Sequence, residues 1–137
     1  MEFEIFEGHW NSDTPSDYID THIFVFGDNM ARQGYRGQAC VRDNVNAHGI
    51  ATKTYPCNNT GCYFSDTYYK EYTDIIKYDI DSIIWLAGQF DKTIVLSEFG
   101  YGHGMAKLPE KAPKIYEFLN QYLLERMKFD NKKGELV

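Results

Sequence analysis

Two glycine-studded segments hold most of the residues suited to chemistry. The first runs Gly27-Asp28-Asn29-Met30-Ala31-Arg32-Gln33-Gly34-Tyr35-Arg36-Gly37-Gln38-Ala39. The second runs Gly100-Tyr101-Gly102-His103-Gly104-Met105-Ala106-Lys107. Glycines let a backbone come close to a ligand, and each segment leads into an expected helix, whose first N–H groups favour an anion. Two such loops on one sheet edge make a cradle for a diphosphate. Neither fits the common phosphate motifs. No Gly-x-x-x-x-Gly-Lys-Ser/Thr is present, and Gly102-x-Gly104 lacks the third glycine of a dinucleotide fingerprint. The bland reading is that these glycines serve only turns and caps.

Charge points the same way as the glycines. Between Met30 and Pro56 stand Arg32, Arg36, Arg42 and Lys53 against one acid, Asp43. That is a net +3 inside a chain that totals −6, so a positive island sits on an acidic protein. Such an island suits a small anionic ligand better than a polymer. Taken alone, Arg42 reads equally well as a surface arginine. Asp28 either caps the turn that follows it or touches the ligand. His103, between two glycines, belongs to a pocket wall; His9, His22 and His48 read as structural or exposed. Tyr63 and Phe64 are candidates for a stacking wall, while Tyr68, Tyr69 and Tyr72 read as core.

The whole-chain arithmetic sets the frame for these residues. The 137 residues fit one domain, which we place at residues 1–129, with Asp130–Val137 as a solvated tail. Aromatics reach 16%, enough large apolar surface for a core. The acidic balance argues against non-specific nucleic-acid binding. No apolar stretch approaches membrane-spanning length, and the acidic start Met-Glu-Phe-Glu is unlike a signal peptide, so a cytoplasmic protein is expected. Cys57 and Cys62 flank Asn58-Asn59-Thr60-Gly61, but no second ligand pair completes a zinc site. Free thiols are expected, and neither a metal nor a cofactor.

The elements that must carry the two segments alternate between strand and helix. Phe3 and Ile5 alternate with glutamates, a half-buried strand ending at Gly8. His22-Ile23-Phe24-Val25-Phe26 is an apolar run typical of a strand covered on both faces. A helix is expected from Gln38 to Ala47, closed by Gly49, then a strand over Ile50–Tyr55. Ser65 and Asp66 are N-cap candidates for a long helix whose apolar positions recur from Tyr72 to Ala87, with Gly88 at C′. Thr93–Leu96 reads as a third buried strand, and Pro109 opens a last amphipathic helix. This alternation predicts an α/β fold with a mainly parallel sheet and helices on both faces.

The segment from Asp28 through Gly34–Ala39, then Ile50-x-Thr52-Lys53, then Phe99-Gly-x-Gly-x-Gly-x-x-x-Leu108 resembles the macrodomain superfamily. The nearest branch is the terminal ADP-ribose glycohydrolase type, together with small phage and bacterial proteins. The resemblance implies a three-layer α/β/α fold with a mainly parallel mixed sheet. It also implies binding of ADP-ribose or a related NAD-derived nucleotide, and an ADP-ribosylated macromolecule as a partner. Gly34, Arg36, Gly37, Gln38 and Ala39 would line the first diphosphate loop. Gly100, Tyr101, Gly102, His103, Gly104 and Met105 would form the second, with Gly27, Asp28 and Asn29 at the entrance. In that branch a lysine after the middle strand is the nucleophile, and Lys53 matches it. The position of the branch's catalytic acid is occupied by Ala106. A hydrolase would therefore need Asp28 or Glu98 as its acid. Where the family holds adenine with an acid, this chain has Gly8-His9-Trp10, leaving His9 or Trp10 to stack on a base. A protein-interaction domain with a vestigial pocket is the reading from another class.

Overall fold

The computed structural model describes every residue from Met1 to Val137. Four strands, β1 (Phe3–Phe6), β2 (His22–Asn29), β3 (Ala47–Lys53) and β4 (Thr93–Ser97), form a sheet in the order β1-β4-β2-β3. Every pairing in it is parallel. The apolar run of β2 explains its central place, since alternate side chains leave on opposite faces. Ile23 and Val25 join Ile94 and Leu96 of β4 in one core, while Phe24 and Phe26 join Val95 in another. Both faces of β2 are therefore buried, as its composition predicts.

The first face is covered by α1 (Tyr69–Phe90) and α3 (Pro113–Met127), with the short α2 (Leu108–Lys111) before α3. Ile76, Ile80 and Ile83 of α1 meet Ile115, Leu119 and Leu123 of α3 in a core of 20 buried residues. Each such side chain contributes about 2 kcal/mol on leaving water. Ser65 caps the single 3-10 turn before α1, accepting from the Thr67 N–H at 3.2 Å. Asp66 reaches elsewhere: its carboxylate accepts the N–H groups of Lys114 and Ile115, both at 3.0 Å, and so caps α3. Gly88 lies inside α1, which runs on to Phe90 and ends at Asp91 in the left-handed conformation, φ 51°.

The second face carries no α-helix. The expected helix over 38–47 is one 3-10 turn, Gly37–Val41, and β3 begins already at Ala47. Asn44 and Asn46 are tied outward instead, Asn44 to the Ser12 carbonyl at 2.7 Å and Asn46 to those of Pro15 and His22 at 3.0 Å. Gly49 closes no helix; it sits in mid-strand beneath Asp28. A Cβ there would lie 2.6 Å from Asp28 Cβ, so glycine makes room for that carboxylate. Trp10 packs here against Phe6 and Phe24, with ring centroids 5.6 and 5.7 Å away.

The last residues are not a free tail. Phe129–Asp130 (β5) and Glu135–Leu136 (β6) pair antiparallel, and Phe129 is fully buried in the main core. Gly134 packs on the Glu98 backbone so tightly that any Cβ would collide with it. The ordered domain therefore reaches past residue 129. No helix is long and apolar enough to cross a membrane.

Candidate functional site

A cleft of about 600 Å³ opens at the carboxyl ends of the strands. The loop after β2 leaves toward the second face and the loop after β4 toward the helical face. Ligands of parallel sheets bind at such a divergence. Gly27, Asn29, Gly34, Arg36, Gly37 and Ala39 line one wall. The other is formed by the Gly100–Met105 loop, with Lys53 at the β3 end and His9 at the β1 end. Both glycine loops therefore line the same cleft.

The first loop leads into one 3-10 turn, Gly37–Val41, where a helix is expected. The second passes through the 3-10 turn Gly104–Ala106 into the four-residue α2, with Lys107 at its N-cap. Both have backbone of alternating hand, with φ of 93° at Gly34, 58° at Gly37, 87° at Gly102 and 57° at Gly104. The residues between these glycines, Arg36 and His103, are extended. The amides of residues 34–38 and 102–105 find no acceptor within the protein. Met105 bridges the walls, its methyl group 3.3 Å from where a Cβ on Gly37 would be.

Several of the candidate side chains spend their polar groups on holding the loops. Gln38 accepts the Gly27 N–H and donates to the Gly100 carbonyl, both at 2.8 Å, stapling one wall to the other. Tyr101 presents only backbone; its ring is buried, and its hydroxyl donates to the Val25 carbonyl at 2.6 Å and accepts from the Ser97 N–H. Burial pushes that phenol far up. Asn29 donates to the Gln33 carbonyl at 2.8 Å and fixes the turn after β2.

Asp28 is not a free acid. Its carboxylate accepts from Arg42 at 2.6 Å, from Arg32 at 3.2 Å and from the Asn29 N–H at 2.7 Å. Arg32 also clasps Asp79 of α1 at 2.8 and 3.0 Å, and Asp79 accepts the Ala51 N–H. Two of the four cations in the positive island are thus neutralised by acids from outside it. Arg42 further donates to the Gly34 carbonyl at 2.8 Å, shaping the first loop. Arg36 makes no ion pair and lines the cleft. Glu98, the other candidate acid, accepts the Gly8 N–H and does not line it.

Lys53 is 8% exposed, the one buried lysine of the chain. A register irregularity sets Asp28 opposite Ala51 but Asn29 opposite Lys53, leaving Thr52 as the extra residue. Bulges of this kind re-aim side chains. The ammonium donates to the Cys57 carbonyl at 2.6 Å and lies 4.8 Å from the Tyr63 ring centroid. Burial first, and Lys107 second, lower its pKa. Cys57 and Cys62 are bonded to each other, not free, with Cα atoms 5.7 Å apart. The expected pair of thiols is therefore a clasp on the loop holding Lys53, and Cys40 alone is free.

A family model matches residues 5–122. The chain belongs to DUF7831, a family of unknown function. No curated protein and no solved structure matches it. The DUF7831 segment contains every cleft-lining residue. One support of the cleft, Asn131, lies past its end. Asn131 accepts the Tyr101 N–H at 2.7 Å and donates to the Tyr101 carbonyl at 2.8 Å. Its own carbonyl takes His103 Nε2 at 3.1 Å. Asn131 falls in the segment expected to be a solvated tail, and nothing local in the sequence marks it.

The aromatic candidates divide. Trp10 is buried and donates from Nε1 to the Gln38 carbonyl at 3.0 Å, so it holds the first loop. His9 lines the cleft and stacks on Phe99, centroids 4.4 Å apart and planes 14° apart. Phe64 is core, stacked on Tyr72 at 4.1 Å, and neither it nor Tyr63 lines the cleft.

Proposed function

We propose that this DUF7831 protein binds ADP-ribose or a related NAD-derived nucleotide, with the diphosphate between the two glycine loops. The observation that carries this reading is that the two glycine loops, 34–38 and 102–105, line one cleft and that their amides have no acceptor within the protein. Asp28 is the only acid lining that cleft, and its charge is matched by two arginines, so Arg36 and Lys53 leave the cleft cationic. The stacked His9–Phe99 pair at the β1 end offers a flat apolar platform for a base. The resemblance to macrodomains supports the same assignment and the same order of parts. Capture of a free nucleotide or of an ADP-ribosylated macromolecule follows from it.

One observation favours hydrolysis, the buried Lys53 with its lowered pKa in the cleft. Both carboxylates that might serve it are engaged elsewhere, Asp28 by arginines and Glu98 by the Gly8 amide. A general acid needs a free proton and reach of the leaving oxygen. Binding without turnover is therefore the favoured form. A thermal-shift screen of ADP-ribose, NAD and cyclic derivatives tests the proposal. A binder at a hundredfold excess over Kd gains about 2.7 kcal/mol, a rise of several degrees in Tm. A flat response to every nucleotide leaves the vestigial-pocket reading in its place.

A further inference from the structure

Tyr63 stands beside the cleft, bridged to Lys53 by backbone pairing, and the residue is buried. Three ammonium groups converge on that ring. Lys53 Nζ lies 4.8 Å from the centroid, Lys111 Nζ 5.1 Å and Lys107 Nζ 6.0 Å. None of the three takes part in any of the seven ion pairs. Lys107 and Lys111 flank the start of α2, so both bring their like charges to that one ring. The face of one ring attracts a cation but does nothing for repulsion among three. The only hydrogen bond made by these ammonium groups, Lys53 to the Cys57 carbonyl, brings no negative charge.

The cluster also has a direction. Lys53 lines the cleft, whereas Lys107 and Lys111 do not, so the positive charge continues outward from the β3 end. His9 and Phe99 stand at the opposite, β1, end. We infer that Lys53, Lys107 and Lys111, with Tyr63 as their floor, form a second anion subsite that takes a phosphomonoester at the end of the ligand remote from His9. A phosphomonoester near pH 7 carries close to two negative charges and three acceptor oxygens, a match for three point-charge donors. The placement of the rest of the ligand rests on the nucleotide reading above; the subsite itself does not.

The test follows the Tyr63 amide in ¹H–¹⁵N spectra while orthophosphate is titrated at constant ionic strength, with and without saturating ADP-ribose. Native protein is compared with the double variant Lys107→Gln/Lys111→Gln, which changes only exposed side chains outside the core. The expected result is a saturable shift at Tyr63 in both conditions, weakened about tenfold in the double variant. No saturable shift at Tyr63, or equal affinity in the two proteins, overturns the subsite. If ADP-ribose fails to bind while the lysine-dependent phosphate shift persists, the nucleotide reading falls and the subsite stands.

Discussion

The ammonium of Lys53 donates to the carbonyl of Cys57 at 2.6 Å, so the buried lysine of the cleft is held by the loop that the Cys57–Cys62 bond closes. The Thr54 N–H reaches the Cys62 carbonyl at 3.0 Å, completing a small ring beside the sheet edge. Opening the bond by Cys57→Ser/Cys62→Ser is expected to cost about 2 kcal/mol, the loop-closure entropy of so short a span. Chemical denaturation of oxidised protein against the double variant measures it. Equal midpoints would show that the clasp contributes nothing.

Asn131 replaces a strand partner for Tyr101, satisfying both its N–H and its carbonyl. Asn131→Ala leaves those two buried groups unpaired, and the expected loss is about 3 kcal/mol. Hydrogen exchange at Gly100 and Tyr101, the hydrogen-bonded amides of the second loop, should quicken in parallel. Unchanged protection there would mean that the hairpin is passive.

Gly49→Ala tests the floor beneath Asp28. The added methyl would sit 2.6 Å from Asp28 Cβ and 2.8 Å from Cγ, forcing the carboxylate off Arg42 and Arg32. Overpacking combined with a broken buried pair predicts about 3 kcal/mol of destabilisation. Urea unfolding reports it, and a loss below about 1 kcal/mol would show that the carboxylate has room to move.

His48 gives stability a pH dependence. Burial, and then the charge of Lys92, hold its imidazole below the ordinary 6.5. The unfolded chain therefore takes up a proton at higher pH than the folded one. The associated stability is complete above pH 6.5 and is lost as pH falls from there toward the folded value. Tm measured from pH 7.5 down to 5 should fall more steeply in the native protein than in His48→Gln. Parallel profiles would refute the assignment.

The strands and both long helices are legible in the sequence because local apolar runs and the 3.6-residue period create them. Their ends are less so. Gly88 has the look of a helix terminator, yet α1 ends at Asp91, a non-glycine in left-handed geometry. The segment 38–47 has helical composition but is drawn out by Asn44, Asn46 and Arg42, which bond to Ser12, Pro15, His22 and Gly34, 8 to 32 residues away. The two cleft loops are legible as glycine-rich segments that each follow a buried-strand run. The roles of Asp28, Gln38 and Tyr101 are not, because each spends its polar atoms on a partner that only the folded sheet brings near. The positive island shrank for the same reason, as Asp28 and Asp79 reach its arginines across the fold.

Calorimetric titration of ADP-ribose is the most direct test of the nucleotide cleft. Native protein should bind one equivalent with a Kd of order micromolar, about −8 kcal/mol. Arg36→Gln, exposed and unpaired, should weaken it about tenfold by removing one charge-assisted contact. Gly102→Ala should abolish it, because a Cβ at φ 87° would lie 2.6 Å from Leu108 Cδ1 and displace the loop. A titration of the native protein without binding heat, or equal affinity in native protein and Arg36→Gln, contradicts the account.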